Sequence, residues 1–343
     1  MNYSTADQTS QIEASRPVCS PEVEADYCAL TASVGYRLLE DRLLVRMVGD
    51  DRVPFLHGMC SNDIANLKPG TVAPALLMTE HAHVLADLYV WAKDDALLLE
   101  TDRGLWPRAR AQLEKFLVAD DVEMEELTGM AVLDIEGPTA GQAVGAVGGE
   151  KVGALAPWHY IEGGDISTAN IPRFGRPAFT VLIEASRVAQ FIADLTRAAA
   201  APGIRPVSRA ALETIRIENG IARVGVDTGE KTIALEARLQ PAISFNKGCY
   251  VGQETVERAS ARGTLKKRMV GLRVDAARLP EVDAAVFLEG KEVGRVTSAT
   301  ISPRLGVLGL AILHHSAWAV GTGVTIKDSI GELKAVVSEL PFE

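Results

Sequence analysis

Apolar positions along the chain follow two periods, one of strands and one of helices, and their arrangement changes near residue 262. Residues 43–48 form a β-rich run, after which Asp50 is placed to cap a short helix carrying Val53, Phe55 and Leu56. Ser61-Asn62-Asp63 breaks that helix, and Lys68-Pro69-Gly70 marks a turn. Residues 84–90 and 96–100 read as two strands joined through Lys93-Asp94-Asp95, and alternation puts Leu85, Asp87 and Tyr89 on one face of the first. Pro107 suits the first turn of a helix whose apolar face is Ala109, Leu113, Phe116 and Leu117. A short strand over 131–135 closes at Gly137-Pro138, and the glycine-rich stretch 141–153 reads as a loop. Residues 178–183 form a strand, Ser186 caps a helix with Val188, Phe191, Ile192 and Leu195 on one side, and Ser208 caps another that stops at Asn219-Gly220. Beyond residue 264 the runs 268–274, 284–288, 292–297, 306–313 and 323–326 alternate with Gly, Pro and Asp turns, as in a small barrel or sandwich. This pattern predicts a polar tail over 1–25, an α+β domain over 26–261 and a β-domain over 262–343.

The 343 residues suffice for two packed units, and a composition of 47% hydrophobic and 23% charged residues supplies a sizeable core. A net charge of −10 argues against direct nucleic-acid binding. The one basic concentration, Arg258, Arg262, Lys266, Lys267, Arg268 and Arg273, suits either a solvated face or an acidic ligand tail or partner. Cysteines 19, 28, 60 and 249 have neither CxxC nor regular spacing, which fits reduced thiols. No apolar run approaches the ~18 residues of a membrane helix, and the first residues lack a signal-peptide pattern, so no membrane association and a cytoplasmic location are expected.

The most distinctive stretch is 245–254, Phe-Asn-Lys-Gly-Cys-Tyr-Val-Gly-Gln-Glu. Lys247 lies two residues from Cys249, where its charge favours the thiolate, and residues 253–260 form a short helix whose amino end favours it further. A tight turn with a packed, inert cysteine is the other reading. Asp87, set in an apolar strand, needs a partner or faces a site. His81-Ala82-His83 lacks a third ligand at metal-site spacing, so no metal is expected. Phosphate-loop and GxSxG motifs are absent.

Lys247, Gly248, Cys249, Tyr250, Gly252, Gln253 and Glu254 match the K-G-C-[YF]-x-G-Q-E motif of the YgfZ family at every specified position. Other segments resemble that family and its relative, the glycine-cleavage T-protein: Ser61-Asn62-Asp63-Ile64, Ile135-Glu136-Gly137-Pro138 (similar to a Q-G-P turn), Arg216-Ile217-Glu218-Asn219-Gly220, Gly225-Val226-Asp227, Gly294-Arg295-Val296-Thr297-Ser298, Ser302-Pro303, and the stretch from Val336 to Phe342. The resemblance runs from about residue 26 to the C-terminus. It implies an α+β, T-protein-like folate-binding fold, partly ferredoxin-like, followed by a small C-terminal β-barrel, the parts surrounding a central hole.

The same resemblance implies tetrahydrofolate, or a folate derivative, as cofactor, with Asp87 beside the reactive folate nitrogen and with Arg216, Tyr250 and Lys327 as further folate-binding residues. Cys249 and Asp87 become the candidate catalytic residues. T-proteins carry R-T-G-Y-T-G-E, whose glutamate binds the pterin; here residues 173–179 read Arg-Phe-Gly-Arg-Pro-Ala-Phe and supply no such carboxylate. T-proteins also lack the cysteine, which places the resemblance on the YgfZ side. The implied role is assistance to iron–sulfur cluster assembly or repair, and through it to cluster enzymes such as tRNA-modifying ones, with assembly factors or client proteins as partners. The alternative is a folate-dependent aminomethyltransferase or demethylase of the T-protein type.

Overall fold

A computed structural model describes residues 19–198, 204–261 and 265–343. The α+β part is built on two sheets laid back to back. One has the order Val72–Met78, Val84–Ala92, Leu97–Asp102, Arg42–Val48, Glu123–Glu126, all antiparallel; the other runs Arg205–Pro206, Gly35–Leu38, Met130–Glu136, Ala178–Glu184, Ile166–Asn170, Tyr160–Gly163. Residues 43–45 are apolar on both faces because both are covered. Leu43, Val45 and Met47 pack with Phe55 and Leu56 of helix Arg52–Met59 and with Ala109 and Leu113 of helix Trp106–Phe116. Leu44, with Trp91 and Leu98, meets Val132, Ala169 and Leu182 of the second sheet. That sheet's outer face carries helices Ala140–Gly148 and Val188–Ala198 through Ile135, Val144, Val181, Phe191 and Leu195.

The C-terminal part is a closed six-stranded barrel, in the order Lys267–Asp275, Gly306–His314, Lys291–Ser302, Ala285–Leu288, Gly323–Lys327, Glu332–Ser338. Val270, Leu272, Val286, Val296, Leu313 and Ile326 fill its interior. Helix Arg209–Glu218, capped by the Ser208 hydroxyl accepting from the Ala211 N–H, joins the two parts: Ile217 packs with Met269, Leu308, Leu310, Leu340 and Phe342. The fold class expected from the sequence is therefore the one observed.

Two local expectations are corrected, and one strand that the sequence reading did not identify is added. A tail extending through residue 25 does not hold for its last part: Pro21–Ala32 is a helix with Ser20 as N-cap, and buried Asp26 accepts from the Ser208 N–H at 2.7 Å. Residues 1–18 of that tail lie outside the described residues. The stretch read as a glycine-rich loop forms helices Ala140–Gly148 and Glu150–Gly153, because missing side chains let the two approach closely; a Cβ on Gly141 would stand 2.8 Å from the Gly153 carbonyl oxygen. Strand Val72–Met78 was hidden by Pro74, yet it is an edge strand, where a proline's missing N–H disturbs no ladder.

Candidate functional site

A cavity of about 700 Å³ opens where the first sheet, helix Arg209–Glu218 and the segment preceding the barrel converge. Strand Val84–Ala92 presents Asp87 and Tyr89 to it, as the alternation predicts: Leu85, Asp87 and Tyr89 are partly exposed while Val84, Ala86 and Leu88 are buried. The Asp87 side chain keeps 26% of its surface accessible and accepts a hydrogen bond from Arg42 Nη1 at 3.2 Å. Behind it runs a chain of alternating charges. Arg42 Nε reaches Glu100 at 2.9 Å, Arg173 Nη2 reaches the same Glu100 oxygen at 2.7 Å, and Arg173 Nε reaches Asp134 at 2.9 Å. The two guanidinium groups lie 5.4 and 4.5 Å from the centre of the Tyr89 ring, and burial pushes the Tyr89 phenol up to about 12. Arg173 opens the segment that runs into strand Ala178–Glu184, where Phe179 is buried in the core under the helices.

Arg216 lines the cavity but is 1% exposed, and its five N–H groups all have protein acceptors. Nε and Nη2 donate to Glu213 at 3.0 and 2.7 Å, Nη1 to the Ile221 carbonyl and Asp227 at 2.7 Å each, and Nη2 also to the Ser298 hydroxyl at 2.9 Å. Asp227 in turn accepts from Thr297 and Ser298, at 2.5 and 2.7 Å. Two residues along, Glu218 accepts from the Tyr27 and Ser302 hydroxyls, and its carbonyl accepts from the Phe342 N–H at 2.8 Å. Arg216, Asp227, Thr297, Ser298 and Ser302, quoted above from separate motifs, thus meet in one buried seam between helix and barrel. Lys327 is not brought to the cavity. It lies on a barrel strand, paired with Glu332 at 2.7 Å and 5.0 Å above the Phe287 ring.

The Lys247–Glu254 segment forms a second locus, beside the cavity wall rather than in it. The Lys247 ammonium points inward and donates to the carbonyls of His57, Cys60 (2.8 Å) and Asn62 (2.9 Å), closing the end of helix Arg52–Met59. Burial lowers its own pKa, and the ionisable groups beside it are Cys60, Asp63 and His57. The expectation that Lys247 acts on Cys249 is therefore corrected: its charge is turned toward Cys60, whose buried thiol is nevertheless pushed up to about 11 by desolvation. Cys249 is exposed, as are Gly248 and Phe245, the last at 48%. Tyr250 is packed with Leu76, Val84 and Val256 and pushed up to about 12 by burial; it is not a cavity residue. Helix Gln253–Ala261 follows, with Gln253 Oε1 accepting from the Tyr250 N–H at 3.3 Å and Glu254 in solvent. Ser61 ties this region to the cavity, donating to the Ala242 carbonyl at 2.6 Å and accepting from the Leu76 N–H at 2.8 Å.

Arg42, Trp158 and Arg238 are among the cavity residues that the sequence reading did not single out. Arg42 was recoverable, since a carboxylate in an apolar strand requires a cation and Arg42 opens the run 42–48. Trp158 and Arg238 carry no periodic signal; both hold left-handed backbone, at φ +66° and +59°.

A two-part protein with a ligand-sized cavity at the junction of α+β sheets and a β-barrel is the class defined by this geometry. Residues 3–247 match the model of the GCVT N-terminal domain and residues 267–342 that of the glycine cleavage T-protein C-terminal barrel domain, so the chain belongs to the glycine-cleavage T-protein family, whose members bind tetrahydrofolate. It is 28% identical over 307 residues to a chloroplastic protein of Arabidopsis thaliana provisionally named a transferase, covering 87% of this chain and 68% of the other. It is 28% identical to an aminomethyltransferase of Geobacillus thermodenitrificans, covering 86% and 82%. The glycine cleavage system aminomethyltransferase T of Bartonella henselae shares the fold, with a TM-score of 0.84 at 22% identity over 96% of this chain and 91% of that one.

Proposed function

We propose that the chain is a tetrahydrofolate-binding protein that assists iron–sulfur cluster assembly or repair, and through it cluster enzymes such as tRNA-modifying ones. The folate part rests on the cavity of about 700 Å³ with Asp87 in its wall, in a chain of a folate-binding family. The cluster part rests on one observation: the complete Lys247–Glu254 motif presents Cys249 in solvent, away from the cavity, where a partner protein can reach it. One thiol does not hold a cluster, which usually takes four protein ligands, so any cluster contact is shared with the partner. Cells carrying Cys249→Ala in place of the wild type are expected to lose activity of cluster-dependent enzymes while the purified variant keeps its folate affinity. Normal cluster-enzyme activity in those cells removes the cluster part.

The relatives named aminomethyltransferases favour a second reading, a folate-dependent aminomethyltransferase or demethylase in which Asp87 positions the folate nitrogen. Turnover of a methylene or methyl donor with tetrahydrofolate, abolished by Asp87→Asn and indifferent to Cys249→Ala, supports it. The Arg42–Asp87 pair weighs against Asp87 as a proton acceptor, because the carboxylate is already engaged by a guanidinium.

A further inference from the structure

The cavity's ionic groups are largely satisfied by one another. Of its lining carboxylates, Asp87 pairs with Arg42, Asp41 and Asp102 with Arg223, at 2.9 and 3.8 Å, and Glu213 with Arg216 at 2.7 Å. Glu40, the remaining one, is exposed. No free buried carboxylate is left in that wall to grip the amino edge of a pterin. Partly exposed aromatic surface remains. Trp158 lines the cavity with its ring 6.1 Å from that of Tyr89 and inclined to it by 22°. Among the described residues, neither the indole N–H nor the Tyr89 hydroxyl has a hydrogen-bond partner in the protein. The left-handed backbone at Trp158 is fixed by two strand-like bonds, from its N–H to the Asn170 carbonyl at 2.7 Å and from the Val72 N–H to its own carbonyl at 2.8 Å. A bulky residue held in such a conformation by its neighbours is a feature of ligand clamps. Two guanidinium groups, of Arg42 and Arg173, also lie against the Tyr89 ring, at 5.4 and 4.5 Å from its centre.

We propose that Trp158, set against Tyr89, is the residue that receives the bicyclic ring of the folate, recognising it by stacking. This deepens the folate reading and rests on it. The polar edge of the stacked ring then lies toward Asp87 and Arg42, which share a wall with Tyr89.

Calorimetric titration of the full chain with 5-formyl-tetrahydrofolate, and separately with p-aminobenzoyl-glutamate, which lacks the bicyclic ring, tests the assignment. Trp158→Ala is expected to weaken 5-formyl-tetrahydrofolate by about tenfold and leave p-aminobenzoyl-glutamate unchanged. Trp158→Phe, which keeps a ring, is expected to bind 5-formyl-tetrahydrofolate within about threefold of the wild type and to lose most of the ligand-induced quenching of indole fluorescence. If Trp158→Ala does not fold, Trp158→Leu, of closer bulk and without a π face, replaces it, and the quenching in Trp158→Phe is read independently. Wild-type affinity in the alanine or leucine variant, equal weakening of both probes, or undiminished quenching in Trp158→Phe overturns the assignment. A wild type that binds neither probe overturns the folate reading itself, and this inference with it.

Discussion

At Gly252 the backbone has φ +89°, and a methyl group there would stand 2.8 Å from the Thr79 carbonyl oxygen, whereas nothing lies within 4 Å of one on Gly248. The two glycines flanking Cys249 therefore answer to different demands, one to chain geometry and one to open space beside the thiol. Gly252→Ala is expected to lower stability by about 2 kcal/mol or more, and Gly248→Ala to stay within about 0.5 kcal/mol of the wild type, in denaturant titrations. Glu136 offers a sharper case. It is buried, its Oε1 has no hydrogen-bond partner, and desolvation, with Asp134 next, holds its carboxyl well above the usual range. Between the unfolded and folded titration points the folded chain keeps a proton that the unfolded chain has lost, so this group's contribution to stability falls as pH rises through that window. Glu136→Gln is expected to be more stable than the wild type at neutral pH by about 1 kcal/mol or more, the difference shrinking toward acid. Equal or lower stability of the variant at pH 7 refutes the account. The site was most legible at this scale where a residue contradicts its surroundings: Asp87, a charge in an apolar strand, was visible, whereas Trp158 is an ordinary aromatic whose role depends on a chain path only the folded backbone defines.

Helix Arg209–Glu218 was readable end to end, from the Ser208 cap to the Asn219-Gly220 stop, because its signals are local. Which way its charged face points was not local information. Arg216 and Glu218 turn inward to meet Asp227, Ser298 and Ser302, so that a helix near a ligand cavity also serves as the strut between sheet domain and barrel. Removing one partner of a buried ion pair leaves the other charge uncompensated, and Asp227→Ala is expected to cost about 3 kcal/mol or more by denaturation. A surface pair would cost about 1 kcal/mol or less, so a loss that small shows that the seam does not hold the parts together. Strand Val72–Met78 was missed and helix Ala140–Gly148 misread for a shared reason. Proline and glycine carry unfavourable propensities that tertiary position overrides, at a sheet edge for Pro74 and at a close helix contact for Gly141.

Over the whole molecule, the change from mixed periodicity to short regular strands announced the barrel, since each strand encodes its own inward and outward faces. The cavity had no such local code: its wall draws on strands Arg42–Val48 and Val84–Ala92, the turn at Trp158, helix Arg209–Glu218 and residues 238–242, separated by up to 200 positions, and only the assembled chain brings them together. This construction has a thermodynamic consequence. A ligand that fills the space touches the sheet wall, the helix that anchors the barrel and the segment leading into it, so it binds only when all three are in place. By mass action, 5-formyl-tetrahydrofolate at a hundred times its Kd is expected to raise stability by about 2.7 kcal/mol. In a chain of 343 residues this corresponds to a Tm increase of roughly 4 °C, growing with the logarithm of ligand concentration. Hydrogen exchange should slow together in Val84–Ala92, Arg209–Glu218 and the first barrel strand, Lys267–Asp275, which packs on that helix through Met269. Protection confined to the sheet strand, with the helix and barrel exchanging as in the free protein, means that the ligand sits on one wall and does not span the junction.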